Sequence, residues 1–213
     1  MNKKNLVIVG ARGFGREISQ TVVECRGHGL EFVLKGFLDS NANALDGFND
    51  YAPILASAEE YEIQPDDVFF IALGDVKWRR HYAEMIGSKG GCFQTLVHNE
   101  AHIGKNVRIG SGSFFARGAS LSVDIVVGCH TFVIDNASVG HDCRIGDYCH
   151  LSDSVFLGGG VTLGNSVTLH PGVKVAPHKR MGDCSIAGIG SVVIQNVRAG
   201  ATVFGNPAQR IDV

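Results

Sequence analysis

The chain has 213 residues, a formal net charge of −2 at pH 7 and a hydrophobic content of 45%. That length allows one large domain or two small ones, and the near-neutral charge provides no basic surface for nucleic acid. The N-terminal apolar run ends at Gly10, too short for a signal sequence, and no stretch reaches the roughly 18 apolar residues that span a membrane. Six scattered cysteines predict reduced thiols and a cytoplasmic protein.

The first part of the chain predicts a small α/β domain. Its predicted elements, in chain order, are a strand at 6–10, a glycine-rich turn at 11–15, a helix at 15–27, strands at 32–39 and 68–75, a helix at 77–90 and an extended segment at 92–97. Ile18, Val22 and Cys25 fall on one face of the first helix. Alternating strands and helices favour a parallel sheet, so we predict a Rossmann-like βαβ domain over residues 1–96.

The glycine turn of this domain has the features of an anion site. Gly10, Gly13 and Gly15 follow a strand and open a helix, a context in which the helix N-terminal amides can hold a phosphate. Asp39 closes the second strand, where an acidic residue can bind a ribose hydroxyl. The domain is about half the size of a full dinucleotide fold, which argues against NAD. A site for a mononucleotide moiety and a purely structural turn both remain open.

From Val97 onward the sequence repeats every six residues. Nearly all first positions are bulky and apolar, the second is often glycine, and the fifth is mostly small or β-branched. An α-helix cannot sustain this period, so residues 97–213 predict a parallel β-helix with about eighteen residues per coil and about six coils. First-position residues should stack inward, with glycines at the corners, where a positive φ costs glycine least.

Residues 139–150, VGHDCRIGDYCH, concentrate reactive side chains. Cys143 and Cys149 occupy the fifth position, so we predict packed core thiols rather than zinc ligands. His141 occupies the third position, and Gly159, one coil further, leaves room beside it. Asp142 can orient the imidazole only if both residues lie at a corner, since adjacent strand residues point to opposite faces. A plain surface histidine and an acid/base site both remain open.

The whole chain resembles the hexapeptide-repeat acetyltransferases that modify bacterial surface sugars. This family includes sialic acid O-acetyltransferases and N-acetyltransferases acting on UDP-4-amino sugars. The resemblance is carried by VGARGFG and FLDS near the N-terminus, the hexads, SVGHDCRIGDYCHLS, and the closing GNPAQRI. It implies a left-handed β-helix, a homotrimer, and acetyl-CoA as co-substrate in a groove between neighbouring β-helices, without a metal. The expected acceptor is an amino or hydroxyl group of a nucleotide-activated or free sugar.

The resemblance also implies roles for individual residues. His141 is the expected general base, and Asp142 tunes its basicity. Contacts to acetyl-CoA are expected at His150, Gly159, Pro171, Gly188 and Ile189. The nucleotide-sugar substrate is expected at Gly10, Arg12, Gly13, Phe14, Gly15, Asp39 and Ser40. Relatives acting on UDP-amino sugars commonly carry histidine where this chain has Phe14, and sialic-acid-type relatives carry phenylalanine, so the accepting atom stays open between nitrogen and oxygen.

Three other functions compete with this interpretation. A hexapeptide transferase with an amino-acid acceptor is opposed by the nucleotide-type N-terminal domain. A non-catalytic β-helix scaffold predicts no coenzyme A binding. A β-helix carbonic anhydrase needs three converging metal histidines, and the histidines here do not recur at such a spacing. No partner among nucleic acids or membranes is expected.

Overall fold

The structure, a computed structural model, describes residues 3–211. It divides into two compact units, and the division falls between Asn99 and Glu100. None of the helices within residues 3–211 has the length and apolar character that a membrane crossing requires.

The first unit is built on one parallel sheet. Its elements are β1 (Lys4–Val9), α1 (Gly13–Val22), β2 (Phe32–Leu38), β3 (Ile54–Ala56), β4 (Asp67–Ile71), α2 (Val76–Ser88), β5 (Cys92–Phe93) and β6 (Leu96–Val97). The strand order is β3-β2-β1-β4-β5, which confirms the predicted parallel sheet. Val7, Ile8 and Phe70 of the central strands are fully buried, as expected for strands covered on both faces.

Two details of this unit differ from the prediction. Helix α1 begins at Gly13 and ends at Val22, so Cys25 is buried beyond the helix rather than on its face. Strand β3 was not predicted, because three half-buried residues show neither alternation nor a continuous apolar run.

A partly buried ion pair ties the loop before β4 to the sheet. Lys35 donates from Nζ to Asp67 Oδ1 (2.8 Å) and to the Tyr61 hydroxyl (2.7 Å), which donates to Asp67 Oδ2 (2.8 Å). Burial alone would raise the pKa of Asp67, but the bonds from Lys35, the Gln64 N–H and Tyr61 outweigh it and lower that pKa. Partial burial would lower the pKa of Lys35, but its bonds to Asp67 and Tyr61 raise it.

Asp67→Asn is expected to reduce the free energy of unfolding by about 2 kcal/mol near neutral pH, because Lys35 then faces a neutral amide. The lowered pKa of Asp67 means that this wild-type advantage is present above about pH 4 and is lost as the pH falls through the folded-state value. The raised pKa of Lys35 means that the advantage is also lost at alkaline pH, above about 10.5. Urea denaturation followed by the fluorescence of Trp78, the single tryptophan, measures it.

Asp66→Asn is the matched control. Asp66 pairs with Lys4 at 2.9 Å, but both side chains are more than 40% exposed, so the loss should stay below about 0.5 kcal/mol. Equal losses in the free energy of unfolding of the two variants would show that burial adds nothing to the stabilisation by the Asp67 ion pair.

The second unit is a parallel β-helix with three faces. Face 1 contains β7 (His102–Ile103), β10 (Ser120–Leu121), β13 (Ser138–Val139), β16 (Phe156–Leu157), β19 (Lys174–Val175) and β22 (Val192–Val193). Face 2 contains β8 (Arg108–Ile109), β11 (Val126–Val127), β14 (Arg144–Ile145), β17 (Thr162–Leu163) and β20 (Arg180–Met181). Face 3 includes β9 (Phe114–Phe115), β12 (Phe132–Val133), β15 (His150–Leu151), β18 (Thr168–Leu169), β21 (Ile186–Ala187), β23 (Thr202–Phe204) and β24 (Gln209–Ile211).

The register of the β-helix is the predicted one until the last coil, where Ile186 pairs with Thr202 and the offset is sixteen residues. Leu121 pairs with Val139, and Val139 with Leu157, so successive coils are offset by eighteen residues. These first-position side chains are buried, which confirms the inward stack. Cys143 and Cys149 are fully buried, and their thiols donate to the carbonyls of Gly158 (3.3 Å) and Gly164 (3.0 Å). They are core residues, as predicted.

The prediction that glycines provide the positive φ of the corners is confirmed at only some corners, among them those of Gly112, Gly118 and Gly160. Positive φ falls at the fourth position, which is usually not glycine: Asn136 (58°) and Asp142 (60°) are examples, and Asn and Asp tolerate this conformation. The second-position glycines instead allow the backbones of successive coils to pack closely. A Cβ on Gly140, for example, would lie 2.7 Å from the backbone nitrogen of Gly159.

Candidate active site

His141 and Asp142 form the turn between β13 and β14, on the corner where face 1 meets face 2. The positive φ of Asp142 (60°) turns the chain so that the two side chains meet. His141 Nδ1 lies 2.6 Å from Asp142 Oδ2. A carboxylate can only accept, so Nδ1 donates and Nε2 keeps a lone pair directed away from the pair. Because the two residues lie at a corner, their side chains can meet, whereas adjacent residues within a strand point to opposite faces.

The imidazole of His141 lies over Gly159, one coil further along. A Cβ on Gly159 would stand 2.6 Å from His141 Nε2, so only glycine leaves this space open. On the other side of the same turn, the ring of His178 lies against Gly160. A turn without side chains therefore runs between two imidazoles. The spacing of eighteen residues between Gly160 and His178 in the sequence corresponds to this stacking.

The Gly159 amide is an open donor. Within residues 3–211 the Gly159 N–H makes no hydrogen bond, whereas the Gly160 N–H donates to the His141 carbonyl (2.8 Å). The open N–H, the His141 lone pair and the vacant side-chain space lie together on one exposed corner. This arrangement can accept a proton at one point and stabilise a negative oxygen at another.

The structure separates the other predicted acetyl-CoA residues from this corner. His150 lies on face 3, where its ring meets Phe132 edge-on with the ring centres 6.0 Å apart. Pro171, Gly188 and Ile189 lie at the turns from face 3 to face 1. Within one β-helix only Gly159 is therefore next to His141. The prediction for the remaining cofactor residues stays a prediction.

The first unit contains a cavity of about 600 Å³ at the carboxyl ends of β1, β2 and β4. Of the predicted substrate residues, the following line it: Gly10, Arg12, Phe14, Gly15, Asp39 and Ser40. Gly13 begins α1 in the same turn, with open space where a side chain would stand. The carboxyl end of a parallel sheet is where such folds bind ligands.

Asp39 holds the glycine turn in place. Its Oδ2 accepts from the Ala11 N–H and its Oδ1 from the Asn41 N–H, both at 2.9 Å. Gly10 has a φ of 99°, and a Cβ on Gly15 would collide with the Gly10 carbonyl, so α1 starts directly against the turn. Arg12 precedes α1 with an exposed side chain. The arrangement supplies helix amides and a guanidinium at one side of the cavity.

Sequence reasoning missed the opposite wall, which comes from α2 and the loop before it. Asp75, Trp78 and Tyr82 line the cavity there. Asp75 caps α2 by accepting from the Lys77 and Trp78 amides (2.8 and 3.2 Å). Burial raises the pKa of Tyr82, and the carboxylates of Glu59 and Asp39 raise it further. The rule that placed Asp39 at the cavity applies to β4 as well, but only once β4 is known to lie beside β1.

Among the described residues 3–211, no three His, Cys, Asp or Glu side chains come together as a metal site.

Residues 5–86 match the PglD N-terminal domain family. Over 112 residues the chain is 32% identical to UDP-N-acetylbacillosamine N-acetyltransferase of Bacillus subtilis (strain 168), which covers 52% of this chain and 50% of that protein. The chain thus matches about half the length of that curated relative.

Two solved structures share the whole fold. The acetyltransferase domain of PglB from Neisseria gonorrhoeae FA1090 superposes with a TM-score of 0.87 at 24% identity, over 98% of this chain and 100% of that chain. PerB from Caulobacter crescentus, solved in complex with CoA and GDP-perosamine, gives 0.88 at 24% identity over 98% and 97%. These structures confirm the predicted fold, an α/β domain followed by a left-handed parallel β-helix, and the matches confirm the predicted resemblance to sugar acetyltransferases.

Proposed function

We propose that the protein is an acetyl-CoA-dependent acetyltransferase that modifies an amino or hydroxyl group of a nucleotide-activated sugar. The observation that carries the proposal is the corner at His141. A histidine whose Nδ1 is held by Asp142 presents Nε2 beside the open amide of Gly159. Both groups accelerate acyl transfer from a thioester, one by removing the proton of the acceptor and the other by binding the carbonyl oxygen.

The chemistry follows from this geometry. As the acceptor nitrogen or oxygen attacks the thioester carbonyl, His141 Nε2 removes its proton, and the Asp142 carboxylate stabilises the imidazolium that forms. The Gly159 N–H donates to the oxygen that becomes negative. Collapse of the intermediate breaks the carbon–sulfur bond, and the imidazolium returns the proton to the departing thiolate. No acyl-enzyme is needed, because the thioester is already activated.

The cavity of the first unit is the proposed site for the nucleotide part of the sugar. The start of α1 and Arg12 suit a phosphate, while Trp78 and Tyr82 offer aromatic surface to a base. The relative in Bacillus subtilis and the Caulobacter crescentus structure are named for UDP- and GDP-linked sugars, which supports this class of acceptor. Phe14 in the cavity wall favours one second candidate, O-acetylation of a free sugar such as sialic acid.

The proposed cofactor residues support a homotrimer. Gly159 lies on the corner between faces 1 and 2, whereas His150, Pro171 and Ile189 lie on face 3 or at its edge with face 1. One β-helix cannot present both sets to a single acetyl-CoA, but a groove between two neighbouring β-helices can. The six cysteines are free thiols, which supports a reducing compartment, the cytoplasm.

Calorimetric titration tests the proposal. Acetyl-CoA is expected to bind with a Kd of roughly 10–100 µM, and one of UDP, GDP and CMP to bind independently of it. Binding of acetyl-CoA together with free sialic acid, but no nucleotide, would establish the second candidate. A protein that binds no acetyl-CoA would be a scaffold rather than a transferase.

A further inference from the structure

The three corners of the β-helix differ in how their third-position amides are satisfied. On the corner between faces 2 and 3, the Oδ1 atoms of Asp147, Asn165 and Asp183 accept from the third-position amide one coil below. The donor nitrogens belong to Cys129, Asp147 and Asn165, at 2.7, 2.9 and 2.8 Å. A short Asx side chain at this position is therefore a cap for the amide beneath it.

Pro177 occupies the equivalent space above Gly159. On the capped corner, Asn165 Oδ1 lies 2.6 Å from the point where a Cβ on Gly146 would stand. Above the His141 corner, Cγ and Cδ of Pro177 lie 2.8 Å from the same point on Gly158. The pyrrolidine ring thus fills the volume that the capping oxygen takes elsewhere and supplies no acceptor. Proline also suits the first central residue of the turn, whose φ it already has.

We propose that Pro177 keeps the Gly159 amide uncapped, so that this amide can bind the oxygen of the reacting thioester. Pro177 is then a positioning residue that acts through Gly159. The inference rests on the proposed transferase function and deepens it. On the neighbouring corner, an Asx side chain at this position consumes the amide donor.

Pro177→Asn tests the inference, with Pro177→Leu as the matched control. The asparagine should place Oδ1 on the Gly159 N–H and lower kcat about 100-fold, the loss typical of an oxyanion donor, with little change in KM for acetyl-CoA. Leucine has a similar size and no acceptor, so kcat should stay within about threefold of the wild type. Thermal midpoints measured for both variants report whether the coil is intact.

Amide hydrogen exchange in protein labelled with ¹⁵N-glycine gives a readout independent of activity. The Gly158 N–H, which donates to the Val175 carbonyl at 2.9 Å, is the internal reference. In the wild type Gly159 should exchange faster than Gly158, and only Pro177→Asn should slow it, by at least about tenfold.

Several results would overturn the inference. These are a protected Gly159 amide in the wild type, an unchanged kcat in Pro177→Asn despite slowed exchange, and an equal loss of kcat in Pro177→Leu. Failure of the proposed function gives a different result. The wild type would then transfer no acetyl group, but amide exchange at Gly159 would still be slower in Pro177→Asn than in the wild type and in Pro177→Leu.

Discussion

Replacing His141 with alanine is expected to lower kcat for acetyl transfer about 1,000-fold while leaving acetyl-CoA affinity within about threefold. The variant loses the Nε2 lone pair that lies over Gly159, so the acceptor must lose its proton to water. The side chain is 60% exposed, so its removal leaves no buried cavity and the thermal midpoint should not change. Steady-state kinetics and calorimetry on the same preparation measure the two effects.

Two controls sharpen this prediction. His102→Ala removes another exposed histidine of the β-helix, far from Gly159 in the coil order, and should keep the wild-type rate. Asp142→Asn keeps the imidazole but removes the charge 2.6 Å from Nδ1, so a smaller loss, about tenfold, is expected. A His141→Ala enzyme that turned over at the wild-type rate would exclude the histidine as the base.

Gly159→Ala is expected to lower kcat about 100-fold, although it adds a single methyl group. That methyl carbon would stand 2.6 Å from His141 Nε2 and 2.7 Å from Cε1, so the ring must swing away from the reacting position. The backbone itself tolerates alanine, because the φ of Gly159 is not in the positive region. The effect is therefore a displacement of the base rather than strain in the turn.

A double-mutant cycle with His141→Ala measures that displacement. Once the imidazole is absent, adding Gly159→Ala should change the remaining rate by less than about threefold. If Gly159→Ala instead cost the same factor in both backgrounds, its methyl group would act on acetyl-CoA directly and not through His141.

The repeat made the β-helix predictable, because a six-residue period with apolar first positions has one compact solution. It also placed Cys143 and Cys149 in the core by position alone. The period did not reveal where the positive φ falls, since Asn, Asp and Ser serve that turn as well as glycine. The register of eighteen residues, once known, predicts that Pro177 stands above Gly159.

The cavity of the first unit was predicted from one side only. The glycine turn and Asp39 have a recognisable pattern, whereas Trp78 and Tyr82 belong to a helix whose polar face looks like any solvent-exposed face. Their place at the cavity depends on which strand lies beside β1. That neighbour is β4, which precedes α2, and strand order cannot be obtained from local propensity.

Up to the last coil, the offset of eighteen residues between coils fixes the position of each residue along the axis of the β-helix. Adding eighteen to a residue number moves one step along the axis on the same face, about 4.8 Å away. The residue number therefore gives the axial distance of a labelled side chain from His141: Gly159 lies one coil away and Pro177 lies two coils away. Inserting one residue into a strand before Leu157 would shift the register and turn the inward stack of Leu157 and Val175 toward solvent, whereas inserting a complete coil would lengthen the β-helix and keep the register on either side of the insertion.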